Sequence, residues 1–272
     1  MITSDKLLIT IAPCIPPYMA DKIPQLDLSP EGIANEVVRA YNAGANILHL
    51  HVWDEKGSPT TDLKSFKETI SLIKNRCDIV IEGSTGGFND LSPSERSTSL
   101  NVDIEMASLN PGSVNYDGGV YINSPSDIRY WTAEMHRKNI KPDIAIFDIG
   151  MINNSMLLAN EGLIAKPFLF TFVLGQIGAI PATAKNLLFL TETVPENSLC
   201  FVARHSGCDV SLSVMNIAIG GHARAGFEDS PYYRPGELAK SNAQLIERLV
   251  RTSREIGREP ATPTEARKIL GI

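Results

Sequence analysis

The sequence predicts an α/β protein, a (β/α)₈ barrel that forms a single domain over residues 1–272. Three observations favour this fold. Short apolar segments rich in β-branched residues recur along the chain, segments with helical periodicity lie between them, and the length is that of one such barrel. A doubly wound open sheet is the main alternative, but no GxGxxG turn follows the first predicted strand.

Eight segments are predicted as barrel strands because they are short, apolar and rich in β-branched or aromatic residues. Phe168–Val173 is typical, since an unbroken apolar run suits a parallel strand that is covered on both faces. In chain order the predicted strands are Leu7–Ala12, Asn46–Val52, Ile79–Gly83, Ile104–Ser108, Asp143–Phe147, Phe168–Val173, Cys200–Ala203 and His222–Gly226.

Helices are predicted in the gaps between the strands. Ser29 followed by Pro30 is a typical helix start, because serine caps free backbone N–H groups and proline suits the first helical position. Gly44 suits the end of that helix, because glycine readily adopts the left-handed conformation. Further predicted helices run over Thr61–Lys74, Asp127–Lys138 and Glu237–Glu255.

Composition limits the partners. A net charge of −6 argues against nucleic acid, which needs a basic face. No apolar run is long enough to cross a membrane and no signal peptide is recognisable, so a cytoplasmic protein without a membrane partner is expected. The four cysteines form no CxxC pair and predict no disulfide.

Two histidines at the end of the second predicted strand are the sharpest chemical feature. His49 and His51 lie two residues apart and therefore point to the same face of the strand, while Leu50 packs behind them. Imidazole is a preferred zinc ligand, and catalytic zinc takes three protein ligands. Packing of both rings inside the barrel is the alternative, but two buried polar rings would need partners.

Three charged residues follow the eighth predicted strand. Glu228 is predicted as the third metal ligand, because active sites of these barrels form at the carboxyl ends of strands. Asp229 is predicted as a base and Arg224 as the group that tunes it. A salt bridge within the loop is the alternative for Glu228 and Asp229.

Other strand ends carry weaker signals. Ser84, Thr85 and Gly86 follow the third strand, where small hydroxyls and glycine let backbone N–H groups approach an anion, although a plain tight turn would look the same. Ser108 and Asn110 end the fourth strand. Asp148 follows the fifth, where an acid that caps a helix is the alternative to a catalytic one. His205, after the seventh strand, can also face the site.

Taken in order, these motifs resemble the β-keto acid cleavage enzymes, a family that includes 3-keto-5-aminohexanoate cleavage enzyme. The resemblance covers nearly the whole chain, and HLH combined with GFED and an upstream arginine is its most specific part. The matching motifs are HLH at 49–51, STGG at 84–87, EMASLN at 105–110, DIGM at 148–151, FVLG at 172–175, GGHARAGFED at 220–229 and SNAQL at 241–245.

The resemblance implies a zinc-dependent homotetramer that condenses a β-keto acid with acetyl-CoA and releases acetoacetate and a new CoA thioester. It makes His49, His51 and Glu228 the metal ligands. Arg224 and Asp229 become the dyad that takes the hydroxyl proton of the condensed intermediate. Ser84 and Ser108 hold the substrate carboxylate. The base that generates the acetyl-CoA carbanion, a glutamate in the family, is matched by Asp148, whose side chain is one methylene shorter.

Two further departures from the family bear on the substrate. The amine-cleaving member has an acid about where Pro17 lies, so its absence favours a neutral or apolar side group over a cationic one. The loop after the seventh strand reads ARHSGC at 203–208 instead of a GxGR pattern, which implies different contacts with CoA. A CoA-independent metal-dependent aldolase, lyase or hydrolase and a binding protein without catalysis stay open as alternative functions.

Overall fold

The computed structural model describes residues 5–54, 58–86, 91–116, 119–205, 207 and 210–272. Its centre is a sheet of eight parallel strands, each of which corresponds to one predicted strand. They are β1 Ile9–Ile11, β2 Ile47–Leu50, β3 Val80–Gly83, β4 Met106–Leu109, β5 Lys141–Ile146, β6 Phe168–Leu174, β7 Ser198–Arg204 and β8 Ala223–Ala225.

The order of neighbouring strands closes the sheet into a barrel. Strands β1 to β7 pair in sequence, and β8 pairs with β1. Between β7 and β8, the His222 amide donates to Cys200 O at 2.8 Å. Asn216 Nδ2 strengthens the same seam by donating to Cys200 O at 2.9 Å and to His222 O at 2.7 Å. The predicted barrel fold is confirmed.

Helices cover the outside of the barrel in the described part of the chain. Ser29 caps α1 through the Gly32 amide, and Gly44 follows that helix with a positive φ of 115°, as predicted. The helices are α1 Pro30–Asn42, α2 Leu63–Lys74, α3 Pro93–Arg96, α4 Pro125–Arg137, α5 Gly150–Asn160, α6 Ala184–Thr193, α7 Ser211–Ala218, α8 Asn242–Glu255 and α9 Pro263–Leu270.

One predicted helix start is wrong. The segment Glu237–Leu238 is a short strand paired with Tyr232–Arg234, and α8 begins after Ser241, whose hydroxyl accepts from the Gln244 amide. A serine that satisfies free N–H groups decides the start better than the apolar periodicity, which extends across it. Within the described ranges, no helix has both the length and the apolar composition that a membrane crossing requires.

The amino-terminal end of the barrel is closed by apolar side chains. A buried cluster there includes Ile47, Val80 and Leu169 from the strands, and Ala266 and Leu270 of α9 pack against it. Full burial of a large aliphatic side chain stabilises a fold by about 1.5–3 kcal/mol. Because this end is filled, an internal cavity can form only towards the carboxyl ends of the strands.

Candidate active site

A cavity of about 530 Å³ opens at the carboxyl ends of the barrel strands. Its floor is polar and includes His49, Glu82, Asp143 and Arg224, while its walls include the apolar side chains Leu91, Val120, Phe147 and Val173. A concave site with a few convergent polar groups and apolar walls is typical of small-molecule enzymes. This is the end of the barrel at which the sequence predicts the site.

His49, His51 and Glu228 come together on one side of this floor. One ligand atom from each lies within 4.8 Å of the other two. His49 Nε2 is 3.4 Å from Glu228 Oε1, and His51 Nε2 is 3.9 Å from Glu228 Oε2. Among the described residues, Glu228 Oε2 has no hydrogen-bond partner although it is buried. A divalent metal between these atoms would satisfy all three side chains, so this donor set fits the predicted ion.

The protonation states of these groups suit metal binding. Burial lowers the pKa of His51 to about 4 and also lowers the pKa of His49, although Glu228 opposes both shifts. Burial alone would raise the pKa of Glu228, but His49 and Arg224 lower it to about 2. At neutral pH the cluster therefore holds two neutral imidazoles and one carboxylate, which are the forms that coordinate metals.

The guanidinium of Arg224 joins the two acids of the eighth strand end. Its Nε donates to Asp229 Oδ2 at 3.0 Å, and its Nη2 donates to Asp229 Oδ1 at 3.0 Å and to Glu228 Oε1 at 2.6 Å. Burial alone would lower the pKa of Arg224, but Asp229 and Glu228 raise it above its ordinary value. Arg224 therefore stays charged and holds both carboxylates in place.

A tight turn at Gly226 puts these acids over the barrel. A Cβ at Gly226 would lie 2.0 Å from Ala12 O, so no other residue fits between the two strand ends. The Glu228 amide donates to Ala12 O at 3.2 Å, and the Phe227 amide donates to Asn242 Oδ1 at 2.9 Å. The turn is thus fixed to β1 on one side and to the start of α8 on the other.

Asp229 does not line the main cavity. It is 3% exposed and lines a small neighbouring cavity of about 60 Å³, together with Arg224 and Gly226. Two residues of the main cavity reach it: Arg224 through the hydrogen bonds above, and His205, whose Nε2 lies 3.7 Å from Asp229 Oδ1. Burial lowers the pKa of His205, so its ring is neutral.

Four of the five predicted substrate-binding residues line the cavity, namely Ser84, Gly86, Ser108 and Asn110. Thr85 does not line it. The Thr85 hydroxyl donates to Ser108 O at 2.6 Å, and its amide donates to Ser108 Oγ at 3.0 Å. Thr85 therefore connects the ends of β3 and β4, and it leaves the Ser108 O–H free to donate elsewhere.

Asp148, predicted as a catalytic acid, is placed outside the cavity. Its side chain is exposed, and its Oδ1 accepts a hydrogen bond from the Gly150 amide at 2.9 Å where α5 begins. Asp143, Ala145 and Phe147 line the cavity from the same strand end. Because side chains alternate along a strand, Asp148 faces away from them. The residue at the N-cap of α5 is Ile149, so Asp148 is not the helix cap that was the alternative, although it bonds the first amide of the helix.

The sequence-based prediction missed Glu82 and Asp143 and left the position of His205 open. Glu82 Oε1 is 2.6 Å from His49 Nδ1, and Asp143 Oδ2 accepts from Thr171 Oγ1 at 2.9 Å. An acid within a buried strand is the signal that could have found the first two. Gly87, Ser206 and Cys208, which belong to predicted motifs or loops, lie outside the described residues.

Comparisons with known proteins identify relatives of the whole chain. The chain is 39% identical over 270 residues to 3-keto-5-aminohexanoate cleavage enzyme from Fusobacterium nucleatum subsp. nucleatum, with 98% of each chain covered. It is 33% identical over 239 residues to 3-oxoadipate:acetyl-CoA acetyltransferase from Cupriavidus necator, with 86% of this chain and 83% of that one covered.

Among solved structures, the ternary complex of ObcA with a C4-CoA adduct and oxalate is similar, with a TM-score of 0.76, 19% identity and coverage of 92% of this chain and 68% of that one. This likeness bears on the fold alone. The model of the beta-keto acid cleavage enzyme family matches residues 6–272. With that match and the 39% identity to a curated relative, the chain belongs to the beta-keto acid cleavage enzyme family.

Proposed function

We propose that this chain uses acetyl-CoA to cleave a 3-keto acid, forming acetoacetate and a new acyl-CoA, with a divalent metal, zinc, held by His49, His51 and Glu228. One observation supports this most strongly: a metal-ligand set and an arginine–aspartate pair share the same strand end. When bound there, the metal polarises the keto oxygen of the substrate. All other roles fall to the side chains of this chain.

The products determine which bonds form and break. Acetoacetate contains the acetyl group of acetyl-CoA and the C1–C2 unit of the keto acid. The C2 carbanion of the keto acid therefore attacks the acetyl carbonyl carbon, and the CoA thiolate leaves. The thiolate then adds to the original keto carbon, the bond from that carbon to C2 breaks, and C2 takes up a proton. An acetyl-CoA carbanion, expected from the resemblance, would release acetate instead, so that expectation is wrong.

The Arg224–Asp229 dyad is proposed to remove the proton from C2 of the keto acid. In this scheme Asp229 stores the proton taken from C2 and returns it to the acetoacetate carbanion, so no net proton is gained or lost. The bidentate contact to Arg224 fixes the carboxylate. His205 lines the cavity with its Nε2 3.7 Å from Asp229 Oδ1, and it can carry the proton between them.

Ser84, Ser108 and Asn110 are assigned to the substrate carboxylate. Their hydroxyl and amide groups lie on the cavity wall at the ends of β3 and β4, opposite the β8 end that carries Arg224. The Ser108 hydroxyl accepts from the Thr85 amide, so its O–H is available for an anionic ligand. Gly86 lets the backbone approach that ligand, because it has no side chain.

The side group of the keto acid is proposed to be uncharged. The relatives act, by their names, on an amino-substituted acid and on a dicarboxylic acid. Here the described cavity lining includes the apolar side chains of Leu91, Val120, Phe147 and Val173. Burying a charge against such walls without a partner is unfavourable. An apolar 3-keto acid such as 3-oxohexanoate is expected to exceed 3-keto-5-aminohexanoate and 3-oxoadipate about tenfold in kcat/KM, which corresponds to about 1.4 kcal/mol.

A homotetramer is also proposed, as the resemblance implies. Large apolar side chains stay exposed on one copy, including Leu157 at 56%, Ile177 at 68% and Phe189 at 52%, and burying them between copies would be favourable. Light scattering after size exclusion is expected to give four times the mass of the chain, and a monomer would contradict this.

The reaction is tested with acetyl-CoA labelled with ¹³C at the carbonyl carbon. Mass spectrometry is expected to find equal amounts of acyl-CoA and acetoacetate, with the label at C3 of acetoacetate, and neither product with His49→Ala. Cleavage without acetyl-CoA would favour the aldolase, lyase or hydrolase alternative. Binding of the keto acid by zinc-loaded protein without turnover would favour a binding protein.

A further inference from the structure

A second layer of acids lies behind the metal ligands. Glu82 on β3 is the strand partner of His49 on β2, and the two side chains meet with His49 Nδ1 2.6 Å from Glu82 Oε1. The Glu82 side chain is 1% exposed. His49 Nε2 is the nitrogen that faces Glu228 and the metal-ligand cluster. A histidine that binds a metal through Nε2 carries its ring proton on Nδ1, so Nδ1 donates to Glu82.

Asp143 on β5 continues this chain of contacts. It lies close enough to Glu82 for the two carboxyl groups to interact, and its Oδ2 accepts from Thr171 Oγ1 on β6 at 2.9 Å. Glu82 Oε2 and Asp143 Oδ1 are both buried without a hydrogen-bond partner in the described residues. Two carboxyl groups can share a hydrogen bond only when one of them carries a proton.

Burial raises the pKa of Asp143 well above its ordinary value and raises the pKa of Glu82 to about 8, so this buried pair carries a proton at neutral pH. Glu82 Oε1 already accepts from His49 Nδ1, so the proton is assigned to Asp143. A neutral acid beside an anionic one keeps the net charge of this buried pair at −1 and satisfies both free oxygens.

We propose that Glu82 is a positioning residue for the metal centre, which fixes the tautomer and orientation of His49, and that Asp143 holds Glu82 in place as a neutral hydrogen-bond donor. The inference rests on the proposed metal site. Outer carboxylates that hold a metal-binding histidine change metal affinity by about 10–100-fold when they are replaced. Glu82 would therefore influence the affinity for the metal although it does not contact the metal itself.

The test measures the zinc dissociation constant by chelator competition, without reference to turnover. Glu82→Gln keeps the shape but removes the charge, and it is expected to weaken zinc binding about 10–100-fold. Glu105→Gln is the matched control, because Glu105 pairs with Arg267 next to the opposite end of β4. Circular dichroism of each metal-free variant checks the fold. Wild-type affinity in a folded Glu82→Gln variant would overturn the inference.

Variants at Asp143 test the proton independently. Asp143→Asn still offers an N–H donor to Glu82 and is expected to bind zinc within about threefold of wild type, whereas Asp143→Ala removes the donor and is expected to lose more, up to about tenfold. Equal zinc affinity of Asp143→Ala and wild type would overturn the role of Asp143. If the wild type binds no zinc, or if His49→Ala binds zinc as tightly as the wild type, the proposed metal site itself is contradicted. That outcome differs from a failure of the inference about Glu82 and Asp143, in which zinc binds but these substitutions leave its affinity unchanged.

Discussion

The two ends of the barrel are built from the same strands but differ in chemistry. Residues on the inner face of a strand are two apart, so each strand contributes to successive layers. In β2 the layers pass from Ile47 to His49, and in β3 they pass from Val80 to Glu82. The lower layer is an apolar seal and the upper layer lines the cavity. Two inward-facing residues that are neighbours on the same strand therefore differ in role: the lower one stabilises the fold and the upper one lines the candidate active site.

The largest effect is expected from breaking the upper layer at a metal ligand. His51→Ala should lower kcat/KM by about 10³-fold or more, because loss of metal polarisation costs several kcal/mol. The His51 side chain is 35% exposed, so the metal-free variant should lose less than about 1 kcal/mol of unfolding free energy. Steady-state kinetics and urea unfolding measure the two quantities.

His136→Ala is the control, since this ring is exposed on α4. Zinc removed from wild type with a chelator should have the same effect on activity as the substitution, and added zinc should restore it. A His51→Ala variant that is fully active without zinc would contradict the metal assignment. It would also contradict the claim that the upper layer carries the function.

The opposite result is expected in the lower layer. Leu270 of α9 is completely buried against the apolar seal. Leu270→Ala should reduce the unfolding free energy by about 2–5 kcal/mol, because it removes apolar contacts and leaves a cavity. Activity per folded molecule should stay within about twofold of wild type. Leu188→Ala on α6 is the control, because this leucine is 39% exposed, and it should change neither the unfolding free energy nor the activity. Equal losses of unfolding free energy in the two variants would contradict the stabilising role of the lower layer.

The sequence was sufficient to predict much of this layering. The alternation of apolar segments predicted all eight strands, and the two-residue spacing placed His49 and His51 on one face. Glu228 was predicted because it follows the last strand. Glu82 and Asp143 were missed because their partners lie on other strands, 33 residues away for His49 and Glu82. Which side chains on neighbouring strands meet depends on the register in which the two strands pair. That register cannot be read from a single sequence.

A histidine in the sealed end should make stability depend on pH. His222 is fully buried, its Nδ1 accepts from the Leu8 amide, and burial lowers its pKa to about 3 from 6.5. Below pH 6.5 the unfolded chain takes up a proton that the folded chain excludes. The stabilisation is therefore complete above pH 6.5 and is lost as the pH falls towards 3.

Urea unfolding at pH 7 and at pH 5 tests this dependence. Between these values the wild type should lose about 2 kcal/mol more than His222→Asn, which keeps a hydrogen-bond acceptor but has no proton to gain. His136→Asn is the control for an exposed ring. The same loss in wild type and His222→Asn would show that the sealed end does not exclude the proton.

The smallest effect is expected at Asp148, where strand parity decides between two roles. Asp148 lies an odd number of residues from Asp143 and Phe147 at the cavity, is exposed, and accepts from the Gly150 amide. Asp148→Asn keeps that acceptor and removes the charge, so kcat/KM should stay within about twofold of wild type. A general base is worth about 10²–10⁴-fold, and Asp229→Asn should show a loss of that size. A hundredfold loss with Asp148→Asn would mean that this loop turns into the cavity during turnover, and that the two-residue alternation which organises the upper layer ends before Asp148.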